Sequence, residues 1–382
     1  MRILVWGTTL GKVADEAQFL SVHRAIVALF PDCEIVFLAR RGGFRQDRYP
    51  NVTRISANRV TRWLPMLARA DLLIMLGGCF MEYPRQAANC LALFLCAKLL
   101  RRPVVGYGTT VFPYRTAWGR TIYRFIFNGL DAITAREQVA LEVFEQLGVR
   151  TPVTHLADPR FILPPADRSD VDAYLTGQGL DPAQPLIGIS TRHMHDDMPD
   201  WVKRSHGYTP EHARSSYQAL GEVVDRLAEK GQVFLLPMAS SPVEDAATAD
   251  LLRAHMTDPA RLKVPEPCRA SELLGLIGAC DMIVASRLGA ALFATVTATP
   301  TLAVAYEARM VDHMQRIGQA EAVVDWRRLR EDDLGAVAER VWADRDAIRR
   351  DMKMAAAPFV ESAWKNGDML RAVLANHAGA AD

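Results

Sequence analysis

The chain has 382 residues, 50% of them hydrophobic and 23% charged, which excludes a disordered or collagen-like protein and leaves apolar material for more than one core. Single cores stop growing at roughly 250 to 300 residues, so two lobes are expected. The formal charge of +1 excludes a global polycation of the nucleic-acid-binding kind, yet residues 1–150 hold 20 basic and 11 acidic side chains, and the remainder 25 and 33.

Short β-rich runs alternate with helix-length segments from the first residues, the pattern of βα units that build a parallel sheet. Strands are predicted at Ile3 to Trp6, Glu34 to Leu38, Asp71 to Leu76, Val104 to Tyr107 and Ala132 to Thr134. Several end in glycine, Gly77-Gly78 and Gly106-Tyr-Gly108 above all, as strand ends do when a loop must turn tightly towards a site. Five prolines between Asp158 and Leu186 mark the linker. A second series follows at Leu186 to Thr191, Val233 to Leu236, Met282 to Ala285 and Leu302 to Ala305. Thr209 and Pro210 are expected to start a helix whose apolar face is Ala213, Tyr217, Leu220, Val224 and Leu227. From Asp332 onwards Leu334, Val337, Val341 and Ile348 give a helical tail, with Pro358 as its expected interruption. The reading is an α/β chain of two Rossmann-like, doubly wound lobes, residues 1–165 and 166–330, followed by C-terminal helices over 331–382.

Six cysteines include no C-x-x-C pair and sit mostly in apolar stretches, so neither a zinc site nor a disulfide frame is expected. Cys90 to Leu100, the longest apolar segment, contains Lys98 and is too short to span a bilayer; Met1 to Trp6 is too short for a signal peptide. The expectation is a cytoplasmic protein. The positive N-terminal half suits an anionic substrate or the anionic inner face of a membrane, although ordinary surface arginines would give the same count.

Open parallel sheets bind ligands at the carboxyl ends of their strands, and four arginines fall there: Arg136, Arg192, Arg287 and Arg309. Arg287 also precedes a predicted helix start at Gly289, so its guanidinium and the free amides of that turn suit one phosphate or carboxylate. A lone arginine at such a rim more often pairs with a neighbouring carboxylate; four at corresponding positions point to a polyanionic small molecule. The stretch from Arg192 to His212 adds His193, His195, His206 and His212 with Asp196, Asp197 and Asp200, a source of proton donors rather than a metal site. A Walker A loop, a G-x-G-x-x-G turn, a G-x-S-x-G elbow and H-E-x-x-H are all missing.

At these strand ends the sequence resembles the polysaccharide pyruvyl transferase family. The resemblance rests on Asp71-Leu-Leu-Ile-Met-Leu-Gly-Gly78, Pro103-Val-Val-Gly-Tyr-Gly108, Asp131-Ala-Ile-Thr-Ala-Arg-Glu137, Ala157-Asp-Pro159, Ile187-Gly-Ile-Ser-Thr-Arg192, Cys280-Asp-Met-Ile-Val-Ala-Ser-Arg-Leu288 and Thr299-Pro-Thr-Leu-Ala-Val-Ala-Tyr-Glu307, in order over about residues 70–318. It implies a GT-B-like pair of lobes, transfer of pyruvate from phosphoenolpyruvate to a saccharide as a ketal, and no cofactor. By position it implies that Arg192 and Arg287, with Leu288, Gly289 and Arg309, bind phosphoenolpyruvate in the C-terminal lobe. Arg136 matches the family's N-lobe arginine and is a catalytic candidate, with Gly77, Gly78 and Asp158 as substrate-binding candidates. The expected partners are that donor and a saccharide acceptor, free or lipid-linked, with no nucleic acid. Where the family has Arg-Leu-His, this chain has Arg287-Leu288-Gly289, so a catalytic proton would have to come from another group such as His193 or His195. Asp158 or Glu307 is a candidate to activate the acceptor hydroxyl. Two alternatives stay open: a divergent sugar-nucleotide glycosyltransferase, and a non-catalytic relative that binds an anionic sugar or a partner.

Overall fold

The computed structural model of the chain describes residues 1–7, 13–39, 51–191, 209–238, 242–330 and 332–379. They fall into two compact units, Met1–Leu163 with Phe359–Asp382, and Pro164–Pro358.

In the first unit β1 (Arg2–Trp6), β2 (Glu34–Ala39), β3 (Val52–Ser56), β4 (Leu72–Leu76), β5 (Val104–Thr109), β6 (Ala132–Ala135) and β7 (Val153–His155) form one parallel sheet. Its order is β3-β2-β1-β4-β5-β6-β7, with Ile3 paired to both Ile35 and Leu72 at the centre. The central strands are continuous apolar runs because helices cover both faces. Right-handed crossovers place α1 (Val13–Leu29) on one face. On the other face they place α2 (Val60–Ala68), α3 (Pro84–Leu99), α4 (Ala117–Asn128) and α5 (Gln138–Leu147), of which α2 packs on α3 and α3 on α4. The order reverses between β1 and β4, and the β4 and β5 ends there carry the glycines.

The second unit has β8 (Leu186–Ser190), β9 (Gln232–Leu235), β10 (Leu262–Lys263), β11 (Met282–Ala285), β12 (Thr301–Ala305) and β13 (Val323–Asp325), all parallel, in the order β10-β9-β8-β11-β12-β13. Around it run α6 (Arg168–Gly177), α7 (Pro210–Ala228), α8 (Pro242–Arg253), α9 (Ala270–Ala279), α10 (Leu288–Thr297), α11 (Ala308–Arg316) and α12 (Leu334–Ala343). Thr209 caps α7, its Oγ1 accepting from the His212 amide at 3.1 Å, and the five predicted apolar positions of that helix are all buried. The same strand order in both units puts a ligand crevice at the β8/β11 reversal here and the β1/β4 reversal in the first.

The units divide between Leu163 and Pro164, inside the proline-rich span 158–186, where a 3₁₀ turn over Pro159–Ile162 and the helix α6 also lie. One expectation needs correction: Pro358 does not interrupt the tail. The break falls at Asp344, and α13 (Arg345–Gly379) runs on through Pro358. That proline withholds one amide from the Met354 carbonyl, and Met354 is 72% exposed, so water can satisfy the orphan. The tail is thereby shared between the units. Its last turns join the first, where Ser362 Oγ accepts from the Ala157 amide at 3.0 Å, Asn366 donates to the Ala157 carbonyl at 3.1 Å, and Leu370 and Val373 enter the core.

Candidate active site

In the second unit the informative groups follow β8, β11 and β12. The Ser286 amide and hydroxyl both donate to the Ser190 carbonyl, at 2.7 and 3.2 Å, which ties the end of β11 to the end of β8 at the order reversal. Arg287 stands at the N-cap of α10, with its Nε donating to the Thr191 carbonyl at 3.2 Å. The first amides of α10, on Leu288 and Gly289, have no acceptor within the helix. Gly289 is half-buried and brings no side chain to that turn.

Both described arginines at these ends already hold a carboxylate. Arg287 Nη2 lies 3.3 Å from Glu244 Oε1, in the first turn of α8. Arg309 Nη2 donates to both Glu307 oxygens at 2.9 and 2.7 Å, across the start of α11. The guanidinium groups are therefore shaped for carboxylate-like oxygens. Beside them is a pocket of about 30 Å³, lined by Thr191, Ser216, Tyr217, Leu220, Ser286, Val304, Tyr306, Trp326 and Leu329. Its walls are largely apolar, since the Ser216 hydroxyl donates to the Trp326 carbonyl at 2.6 Å.

In the first unit Arg136 and Asp158 meet. Arg136 Nη1 lies 3.1 Å from Asp158 Oδ2 and its Nε 3.1 Å from Glu137 Oε1. Arg160 grips the same aspartate through Nε at 2.9 Å and Nη2 at 2.7 Å, and the Arg160 amide donates to Oδ1 at 2.9 Å. Burial alone would raise the Asp158 pKa, but Arg160 and then Arg136 outweigh it and hold the carboxyl well below its ordinary range. Such an aspartate is a poor general base, and both oxygens are taken. Burial likewise opposes the charge of Arg136, yet Asp158 and Glu137 more than offset it and raise its pKa. Asp158 thus fixes Arg136 at the end of β6.

Gly77 and Gly78 open a 3₁₀ turn after β4. A Cβ on Gly77 would lie 2.2 Å from the Gly108 carbonyl, and Gly108 itself needs φ of +53° with the Pro159 ring 2.6 Å from where its own Cβ would be. The turn is closed from behind by Gln86, which donates to the Gly78 and Cys79 carbonyls at 2.9 and 2.8 Å. These glycines permit backbone to meet backbone at the β4/β5 ends. Beyond them the buried hydroxyls of Thr109 and Thr110 have no hydrogen-bond partner among the described residues, a feature that the run Gly-Thr-Thr alone does not announce. Nor does any sequence pattern mark Glu244, whose link to Arg287 spans 43 positions. Arg192, His193 and His195 lie outside the described residues.

Residues 15–308 match the sequence profile described as polysaccharide pyruvyl transferase. The amylovoran biosynthesis protein AmsJ of Erwinia amylovora is 25% identical over 303 residues, which are 76% of this chain and 69% of that protein. Among solved structures, a UDP-N-acetylglucosamine 2-epimerase homologue from Listeria monocytogenes superposes with a TM-score of 0.64 at 12% identity, covering 100% of this chain and 97% of its own. A glycosyltransferase from Rickettsia africae gives 0.64 at 10% identity, with 98% of each chain covered. At these identities the likeness shows the GT-B-like fold alone.

Proposed function

The chain belongs to the polysaccharide pyruvyl transferase family and is a polysaccharide-modifying transferase; from that premise we propose that it moves pyruvate from phosphoenolpyruvate onto two hydroxyls of a saccharide as a cyclic ketal. The observation that supports this most is the pair Arg287 and Arg309, on the neighbouring strand ends of β11 and β12, each already holding a carboxylate. Phosphoenolpyruvate carries a carboxylate and a phosphate on the same carbon, C2, and two guanidinium groups with the α10 amides suit both. The small apolar pocket beside them suits the methylene carbon.

The reaction adds one sugar hydroxyl across the double bond: its oxygen bonds to C2, and a proton reaches C3 to make the methyl group. Phosphate then leaves C2 with its bonding electrons, and a second hydroxyl bonds there as it loses its proton. Arginines that hold the departing phosphate lower the barrier because its charge grows as the bond breaks. Gly289 cannot deliver the proton, so His193 or His195, next in sequence to Arg192, is assigned that task.

The test is phosphate release from phosphoenolpyruvate in the presence of a panel of saccharide acceptors. Arg287→Ala is expected to weaken phosphoenolpyruvate binding by about 1.5 to 3 kcal/mol, the worth of a charged hydrogen bond. Alanine at whichever histidine donates is expected to lower turnover by about 10² to 10⁴ with affinity nearly unchanged. If no acceptor elicits release from the wild type, the proposal fails.

A further inference from the structure

The first unit carries most of its positive excess in one stretch of sequence. Between residues 59 and 128 there are ten Arg or Lys against two acidic residues, Asp71 and Glu82. Both acids are engaged within the fold: Asp71 accepts from the Arg2 amide at 2.7 Å, and Glu82 from the amides of Arg115 and Thr116 at 2.9 and 2.8 Å. By contrast Arg59, Arg62, Arg85, Arg101 and Arg124 are exposed and form no ion pair among the described residues.

The same segment carries the apolar exposure. Of eleven exposed large apolar side chains among the described residues, eight belong to α2, α3, α4 or the loops leading into them, so the pattern is not scattered surface. α3 is the extreme case, apolar on two opposite faces. Its inner face buries Ala87, Cys90, Leu93, Phe94 and Ala97, yet its outer face, Ala88, Ala92, Leu95 and Leu99, is apolar as well and open to solvent. Leu95 is 45% and Leu99 85% exposed. Arg85 stands at one end of that stripe and Arg101 just past the other. On α4, Trp118 and Phe125 are seven residues apart on one helix face, and the Phe125 ring meets Phe94 of α3 edge to face at 5.7 Å.

We propose that the outer face of α2, α3 and α4 docks on the surface of an anionic lipid bilayer, with Leu95, Leu99, Trp118 and Phe125 entering the interface and the flanking arginines on lipid headgroups. Charge selects this occupant. A second copy of the chain meeting the same face would set two strongly cationic surfaces against each other. A soluble polyanion would answer the arginines but leave the apolar stripe in water. An anionic interface answers both, since long cationic side chains reach headgroups while apolar ones sink to the acyl boundary. Among the described residues no helix is long and apolar enough to cross a membrane.

The experiment is co-sedimentation of the full chain with vesicles of phosphatidylcholine, with and without phosphatidylglycerol. Binding is expected only with the anionic lipid, falling as salt shortens the Debye length. Each arginine removed is expected to lower the partition coefficient about fivefold, so Arg85→Ala with Arg101→Ala lowers it about 25-fold. Leu95→Ser with Leu99→Ser is expected to weaken binding while the melting temperature falls by only a few degrees, since Leu99 is 85% and Leu95 45% exposed and serine in a helix costs a few tenths of a kcal/mol each. Equal sedimentation with and without phosphatidylglycerol, or none with either, overturns the proposal. So does binding indifferent to all four substitutions, or a wild-type dimer in light scattering that the leucine substitutions dissociate. None of these outcomes bears on the pyruvyl donor.

Discussion

Glu244 sits where an incoming carboxylate would sit on Arg287. A donor that binds this arginine must displace it, so Glu244→Gln is expected to tighten phosphoenolpyruvate binding up to about fivefold, the worth of a partly exposed ion pair. Calorimetric titration checks this, and weaker binding in the variant would mean that Glu244 orients Arg287 instead. Asp158 works the other way. Its carboxyl is held below the unfolded value, so the unfolded chain binds the extra proton, and the stabilisation is complete above about pH 4 and lost as pH falls towards the folded pKa. Asp158→Asn leaves Arg136 and Arg160 buried with half their counter-charge, and a loss of about 3 to 5 kcal/mol is expected in chemical unfolding at neutral pH, shrinking in acid. Arg136 and Arg287 were legible from the sequence as strand-end residues, because a βα junction announces itself by an apolar run and a turn. Their partners were less so: Glu244 comes from another helix, and only the folded chain brings it to Arg287.

Helix α4 shows how an element can depend on a residue far from it. Glu82 accepts from the Thr116 hydroxyl as well as the Arg115 and Thr116 amides, and so stands as an anion at the α4 N-terminus. Gly119 makes room for it: a Cβ there would lie 2.3 Å from Glu82 Oε1. Gly119→Ala is therefore expected to destabilise the protein by about 1 to 3 kcal/mol in chemical unfolding. Gly177→Ala, where no atom lies within 4 Å, is the control expected to lose nothing. At this scale the sequence was legible in the middle of each sheet and not at its borders. The predicted strands match the interior strands within a residue or two, whereas β3, β7, β10 and β13, all missed, are the four sheet edges. An edge strand is short and half-exposed: β3 buries only Val52 and Ile55 firmly, and β10 has two residues. Neither shows the continuous apolar run that marks a strand covered on both faces. The helical tail misled for a related reason, since a proline in a solvent-facing turn loses little.

Across the whole molecule, the charge asymmetry noted in the sequence condenses into one helical layer of the first unit, while its polar network around Arg136 is internally neutralised. The first unit is also discontinuous. Its sheet is complete by His155, but residues 359–379 supply Leu370 and Val373 to the core, and Arg24 stacks over the Trp364 ring at 5.4 Å. Roughly 200 residues of the second unit intervene. At 5 to 20 residues per second, the ribosome delivers that last helix about 10 to 40 s after the strands it covers. Throughout that interval the nascent first unit shows apolar surface on its α1 side, which lengthens the time in which that surface can meet another unfolded chain instead of its own helix.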